Sequence, residues 1–186
     1  LHKEYRRQRQ MCIRDRVYGA VVKRYVNDAE AKNNGEIISE IYHYMSKQYR
    51  NEYFYQNTLI NKLLLGRHSI NTTTALTQIP IGKSKADFIL INGKAVVYEI
   101  KTELDNLERL STQLEDYFTA FNHVCVVTCE ENGKKLCELL EGSAVGVYVL
   151  TRKNTIRYIK KPICNNNFLQ YKEMFKVCLL YTSDAA

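Results

Sequence analysis

The spacing of the apolar residues changes near residue 70, and this change constrains the fold more than any other feature. From about residue 17 to 66 they recur at helical spacing, as Ile37, Ile41 and Met45 do. Beyond that point they occur in short runs rich in Thr, Val and Ile, which are typical of β-strands. These runs cover residues 72–81, 86–91 and 95–100. The order predicts a helical N-terminal region followed by a sheet.

The remaining chain alternates predicted helices and strands. Asn92-Gly93 separates two strand-like runs and predicts a two-residue hairpin turn. Asp105 can cap a helix that extends to residue 121, and residues 134–140 form a second helical pattern. Short apolar runs at 124–128, 145–150 and 155–159 predict three further strands. A hairpin followed by β-α-β units implies an α/β fold with a mixed central sheet flanked by helices.

The two ends of the chain differ in character from the rest. Residues 1–16 carry a net charge of +4 out of +7 for the whole chain, and residues 177–186 hold one charged residue, Asp184. Both ends resemble translated sequencing-adapter read-through; the alternative is a native basic arm and an ordinary tail. We therefore expect one domain over 17–176, with a helical part (17–66), an α/β core (67–160) and a C-terminal helix (165–176).

Composition excludes several classes of protein. No apolar run approaches the ~20 residues that a membrane span needs, and no signal-peptide pattern opens the chain. The six cysteines form no Cys-x-x-Cys pair, which disfavours a zinc site or a disulfide framework. We expect a cytoplasmic protein that does not contact a membrane. A net charge of +4 over residues 17–176 permits a nucleic-acid partner but does not indicate one.

Residues 83–101 contain the side chains best suited to chemistry. Alternate residues of a strand share a face, so Glu99 and Lys101 point the same way, roughly 7 Å apart. The hairpin brings Asp87 near Glu99. Two carboxylates and a strand carbonyl such as that of Ile100 can hold Mg²⁺, and Lys101 can orient water and stabilise charge on a phosphate. The spacing alone favours the alternative, in which two unrelated surface charges and a salt bridge lie across the hairpin.

Three segments make the pattern more specific: Lys85-Ala86-Asp87, Tyr98-Glu99-Ile100-Lys101, and the stretch from Asp105 to Gln113. Together they resemble the PD-(D/E)XK nuclease superfamily, and within it a stand-alone bacterial and phage branch. The resemblance implies a restriction-endonuclease-like fold and hydrolysis of DNA phosphodiester bonds with Mg²⁺ or Mn²⁺. It assigns Asp87 and Glu99 as metal ligands and Lys101 as the catalytic lysine.

Two residues of the following helix extend the resemblance. Gln113 and Tyr117 match the Gln-x-x-x-Tyr element of the RecB-like members, which lies beside the active site. Residues four apart share a helix face, so both side chains can approach the same strand edge. The alternative is an ordinary helix boundary with Tyr117 half-buried.

One position departs from the resemblance. Relatives often carry Glu where this chain has Gln78, and an amide is a poorer ligand than a carboxylate for a hard divalent ion. Glu40, or Glu36, on an earlier helix could supply the missing carboxylate, although both lie opposite the apolar stripe and suit a solvated face equally well. The departure leaves open a catalytically weak or inactive nuclease-fold module that binds nucleic acid.

Cations near the Asp87 strand predict contacts with a nucleic-acid backbone. Lys83 and Lys85 flank the strand and suit phosphate contacts. Arg109 can contact phosphate or pair with Glu108 or Asp105. We expect DNA as the partner in preference to RNA, and a homodimer is compatible with the resemblance because many relatives dimerise. A structural or regulatory protein, in which the charges form only a salt bridge, is a third alternative.

Overall fold

A computed structural model of the chain describes residues 16–66 and 70–183. The chain divides between Asn51 and Glu52 into two compact units, and the domain bounds expected from the sequence stay a prediction. No stretch rich in Gly, Pro or Ser marks this boundary, so composition carried no signal of it. Residues 1–15 and 184–186 lie outside the described residues, and the adapter origin of both ends stays a prediction.

The first unit is helical, as predicted. Helix α1 covers residues 16–25, a 3-10 turn covers Ala29–Ala31, and α2 covers Asn34–Gln48. A capping box starts α2: the Asn33 side chain accepts the Glu36 N–H, and the Glu36 carboxylate accepts the Asn33 N–H. Val22, Val26 and Ile37 form the small core of this unit.

The second unit contains a six-stranded mixed sheet flanked by helices. Helix α3 covers Glu52–Leu59 and continues as a π-helical turn, Ile60–Leu65. The strands are β1 (Thr74–Ile81), β2 (Ser84–Asn92), β3 (Lys94–Lys101), β4 (Val124–Cys129), β5 (Gly146–Leu150) and β6 (Ile156–Lys160). The later helices are α4 (Leu110–Phe118), α5 (Glu130–Leu139) and α6 (Tyr171–Ser183). The predicted mixed α/β class is confirmed.

The strands lie in sequence order across the sheet, from β1 to β6. The β1–β2, β2–β3 and β5–β6 pairs are antiparallel, whereas β3–β4 and β4–β5 are parallel. Each parallel pair is joined through a helix, because a parallel connection has to cross back over the sheet. Strands β3, β4 and β5 therefore end at the same edge of the sheet, and β2 begins there.

The main core fills the space between one sheet face and helices α4, α5 and α6. It contains Ile89 of β2, Val97 of β3, Leu114 of α4, Leu136 of α5 and Val177 of α6. All six residues of β4 are buried, as expected for a central strand covered on both faces. No helix among the described residues has both the length and the apolar character to cross a membrane.

Two local expectations are corrected. The β2–β3 hairpin pairs Asn92 with Lys94, so its bend centres on Gly93 (φ +66°), not on a two-residue turn. Helix α4 begins at Leu110, and Asp105 does not cap it. The Asp105 carboxylate instead accepts the Thr102 N–H and hydroxyl, both at 2.7 Å, because it closes the turn that follows β3.

Candidate active site

Strands β2 and β3 separate at the open end of their hairpin, away from the bend at Gly93. The described pairing runs from the bend to Phe88 opposite Tyr98 and stops there, although β2 begins at Ser84 and β3 continues to Lys101. The side chain of Asp87 bridges the separation, since its Oδ2 accepts the backbone N–H of Ile100 at 2.8 Å. The N–H and C=O of one strand residue point to the same side, so the Ile100 carbonyl also faces β2.

Asp87 is partly buried in this gap and has an unusual pKa. Burial, together with the nearby charge of Glu99, raises the pKa of Asp87 from 3.8 to about 7. The hydrogen bond from Ile100 opposes this shift but does not cancel it, and the charge of Glu52 adds to it. The raised pKa of Asp87 therefore reflects mainly its removal from solvent, to which the negative charges of Glu99 and Glu52 add.

Glu99 is 1% exposed and is surrounded by hydrogen-bond donors. Its Oε1 lies 2.6 Å from Gln113 Nε2 and 2.9 Å from Lys101 Nζ, and its Oε2 lies 2.6 Å from the Tyr117 hydroxyl. A buried carboxylate keeps its charge only with such partners. A carboxylate has about four acceptor positions, so three donors leave one on Oε2.

Lys101 is 8% exposed, and its ammonium is aligned by two neighbours. Nζ contacts Glu99 and also donates to Gln113 Oε1 at 2.9 Å. The amide of Gln113 therefore links the carboxylate and the ammonium from opposite ends. Because an ammonium carries three N–H bonds, one remains for a water or a phosphate oxygen.

Helix α4 supplies Gln113 and Tyr117 from adjacent turns of one face. The Tyr117 hydroxyl lies 2.6 Å from Glu99 and 2.9 Å from the Lys85 carbonyl, and its ring is fully buried. Burial, together with the charge of Glu99, raises the pKa of Tyr117, so the hydroxyl keeps its proton and acts as a donor. The sequence had left open a half-buried Tyr117 at an ordinary helix boundary, and the structure instead connects it to both strands.

A second contact fixes α4 against the β1–β2 turn. The Asp116 carboxylate accepts the Lys83 N–H at 3.1 Å and the Ser84 hydroxyl at 2.6 Å. The turn approaches so closely that a Cβ at Gly82 would lie 2.5 Å from Asp116 Oδ1. Gly82 has φ +59° as well, so glycine is required there on both counts. This contact fixes the position of α4, which carries Gln113, relative to β2, which carries Asp87.

Gln78 of β1 joins the site through a carboxylate that sequence reasoning missed. Its Nε2 donates to Glu52 Oε1 at 2.8 Å and lies 3.4 Å from Asp87 Oδ1. Glu52 is at the start of α3 and also accepts from Gln56 at 2.8 Å. Nothing in the sequence pattern relates position 52 to position 78, and Glu52 falls just outside the apolar stripe of its helix. An acid at the first turn of a helix signals only a favourable helix start.

The other predicted residues lie in two places. Lys83, Lys85 and Arg109 are exposed, at the β1–β2 turn, on β2 and immediately before α4. Glu40 belongs to the first unit, where its carboxylate forms an ion pair with Lys32 at 2.6 Å. Glu36 is engaged in the α2 capping box.

The donor set of the gap fits a hard divalent cation. Asp87 retains acceptor capacity, Glu99 retains one acceptor position, and the Ile100 carbonyl faces the same gap. These are oxygen donors of the kind that Mg²⁺ and Mn²⁺ select. A cation would also offset the negative charges of Glu99 and Glu52, which add to the effect of burial on the pKa of Asp87.

A different acidic group lies near the ends of β3 and β4. Potential ligand atoms of Glu103, Cys129 and Glu131 are within 4.8 Å of one another. Glu103 and Glu131 are exposed, and Glu131 already pairs with Arg152 at 2.6 Å. Burial raises the pKa of the Cys129 thiol, which disfavours the thiolate that would bind a metal. This group is less suited to Mg²⁺ than the gap beside Asp87.

Comparison with known proteins gives a family relationship. No curated protein and no solved structure matches the chain significantly. The profile of the family described as Bacteriophage P4 protein cII matches residues 45–180, which include every site residue of the second unit described above. The match covers well over half of the 186 residues, so the chain belongs to the Bacteriophage P4 protein cII family.

Proposed function

We propose that this protein is a metal-dependent nuclease that hydrolyses phosphodiester bonds in DNA, with a restriction-endonuclease-like core. The observation that carries the proposal is the convergence of Asp87, Glu99 and Lys101 where β2 and β3 separate. Gln113 and Tyr117 hold this arrangement from α4 through Glu99. The order of three antiparallel strands, a helix and a parallel strand is compatible with the proposed core.

The donor set supports a site for Mg²⁺ or Mn²⁺. Asp87, Glu99 and the Ile100 carbonyl would hold the ion, with Glu52, which shares the Gln78 amide with Asp87, as a further carboxylate. When bound, such an ion polarises a phosphate and lowers the pKa of an attacking water. Lys101 is aligned by Glu99 and Gln113, so its third N–H is directed by the protein before substrate arrives.

The buried network around Glu99 has a clear role in this proposal. If the Glu99–Lys101 ion pair had no other partners, both side chains could change rotamer together, and the ammonium would have no fixed position. Gln113 contacts both groups, and Tyr117 fixes the second carboxylate oxygen. The lysine is therefore placed by a helix on one side and a strand on the other, which suits precise orientation of a reacting group.

DNA is the proposed substrate because the site combines a phosphate-directed lysine with exposed cations. Lys83 lies in the β1–β2 turn, Lys85 lies on β2 two residues before Asp87, and Arg109 lies just before α4. Contacts from these residues would position a backbone and carry no base specificity. The number of cations is small, so the proposal depends on the site and not on the overall charge.

The test is cleavage of supercoiled, linear duplex and single-stranded DNA with Mg²⁺ or Mn²⁺ and with EDTA, alongside RNA of the same sequence. Asp87→Asn and Lys101→Met should each lower the cleavage rate by at least roughly 10²-fold. Lys134→Met is the matched control, because Lys134 is a highly exposed lysine of α5. The proposal fails if the wild type cuts nothing that Asp87→Asn and Lys101→Met spare.

A second candidate function rests on Gln78. An amide, not an acid, faces Asp87 and Glu52, which favours a catalytically weak or inactive module that binds nucleic acid. This candidate predicts salt-dependent DNA binding with no divalent-dependent cleavage. Absence of binding at low salt would contradict both candidates.

A further inference from the structure

Gln78 has a backbone conformation that is out of place in a strand. Its φ is +58°, in the left-handed region, although the residue lies in the middle of β1. The flanking pairs, Thr77 with Phe88 and Ile79 with Ala86, keep one register, so the departure is confined to Gln78. For a residue with a Cβ this conformation costs roughly 1–2 kcal/mol. Such strain persists only where surrounding contacts maintain it, and it concentrates at functional sites.

The contacts of the side chain indicate what maintains the strain. The single nitrogen Nε2 reaches two carboxylates that belong to different elements, Glu52 of α3 and Asp87 of β2. An amide nitrogen carries two hydrogens with partial positive charge, so it can serve one acceptor with each. Without the amide, the like charges of Glu52 and Asp87 would have no donor between them. Gln78 therefore stands where a cation between these carboxylates would stand.

We propose that Gln78 is a positioning residue that holds the place of a divalent cation between Asp87 and Glu52 until the cation binds. This inference rests on the proposed metal site. The amide keeps the carboxylates close together in the ion-free protein and leaves when the ion arrives. It acts as a competitor of the ion and not as a ligand. The left-handed backbone directs the amide towards Glu52 and Asp87, and release of the amide by the ion would let this strain relax.

Calorimetric titration with Mn²⁺ separates a place-holder from a ligand. Gln78→Gly removes the amide, and glycine adopts the left-handed conformation freely, so the backbone need not move. The place-holder predicts that this variant binds Mn²⁺ about tenfold more tightly, the equivalent of losing one competing hydrogen bond to a charged group. Unchanged or weaker binding would overturn the proposal, because a ligand or an uninvolved residue gives those results.

A matched control removes the general effect of left-handed strain. Asn154 also has a positive φ (+57°), but it lies between β5 and β6 and has no contact with Asp87 or Glu52 among its described interactions. Asn154→Gly should leave the Mn²⁺ affinity unchanged. A tenfold gain in this variant as well would overturn the proposal.

Unfolding in EDTA decides the ion-free part of the inference separately. Gln78→Gly should lower the melting temperature of the otherwise wild-type protein, because two carboxylates lose their shared donor. In the Glu52→Gln background the same change should lower it less, because only the longer contact with Asp87 is then lost. A rise in both backgrounds would overturn the place-holder. If no variant binds Mn²⁺ while the EDTA results hold, the proposed metal-dependent function fails and the bridging contact stands.

Discussion

The carboxylate of Asp87 accepts the backbone N–H of Ile100 at 2.8 Å, so a side chain does what a strand carbonyl would do in an unbroken ladder. The strands separate at this point, next to the hydrogen bonds that join Glu99 and Lys101 of β3 to Gln113 of α4. A regular hairpin would have closed this space with backbone hydrogen bonds. The site therefore exists because one acid replaces the ladder at the edge where β3, β4 and β5 end.

The raised pKa of Asp87 predicts how stability depends on pH in the ion-free protein. The unfolded chain releases this proton near pH 4, whereas the folded protein holds it to about pH 7. The folded state thus binds more protons in this window, and the free energy of unfolding falls as pH rises. The loss should be on the order of 2–4 kcal/mol, and Asp87→Asn should remove most of it.

Urea unfolding in EDTA at pH 5 and pH 8 measures this dependence. Glu108→Gln is the control, because Glu108 is an exposed carboxylate outside the gap. The Glu108→Gln variant should lose as much stability between pH 5 and pH 8 as the wild type does. If Asp87→Asn loses as much stability as the wild type does, the assignment of the raised pKa to Asp87 is wrong.

The buried Glu99 predicts unequal costs for its partners. Lys101→Met leaves a buried carboxylate without a cation and should destabilise the protein by about 3–5 kcal/mol. Tyr117→Phe removes one hydrogen bond and should cost about 1–3 kcal/mol. Adding Glu99→Gln to Lys101→Met should recover part of the larger loss. A double-mutant cycle by urea unfolding measures this, and strictly additive losses would contradict the network.

The contact between Gly82 and Asp116 predicts a difference between two glycines that share a positive φ. Gly82 and Gly93 have φ of +59° and +66°, so alanine is strained at both. A Cβ at Gly93 meets nothing within 4 Å, whereas at Gly82 it meets Asp116 at 2.5 Å. Gly93→Ala should cost about 1 kcal/mol and Gly82→Ala more than twice as much. Equal melting temperatures of the Gly82→Ala and Gly93→Ala variants would show that α4 is not fixed against this turn.

The exposed cations beside the gap predict the salt dependence of DNA binding. Each lysine that contacts a phosphate contributes about −0.9 to the slope of log K against log salt concentration. Lys83→Gln and Lys85→Gln should each reduce the magnitude of the slope by about that amount on any DNA sequence. Lys134→Gln, at an exposed position of α5, should leave it unchanged. A uniform effect of all three would indicate only a general loss of charge.

The sequence was sufficient to predict the strands and the grouping of the main site residues. Period-two spacing places Glu99 and Lys101 on one face, and the hairpin brings Asp87 beside them, so local pattern determines this part. Spacing of four along α4 likewise placed Gln113 and Tyr117 together. These relations are short in sequence and follow from the geometry of a strand or a helix.

The remaining features depend on contacts that no local pattern encodes. Glu52 meets Gln78 across 26 residues, and its position reflects how α3 packs on the sheet. The left-handed backbone of Gln78 interrupts a strand that contains no Gly or Asn, the residues whose presence would have predicted a positive φ. Asp105 looked like a helix cap, but its carboxylate finds closer donors in the turn at Thr102.

Anomalous diffraction from a crystal of the protein soaked in Mn²⁺ tests the proposed metal site. We expect a peak within direct coordination distance of the Asp87 carboxylate and the Ile100 carbonyl, with Glu99 as the neighbouring carboxylate. Asp87→Asn should abolish that peak. No peak in the wild type, or a peak only at Glu103, Cys129 and Glu131, would contradict it.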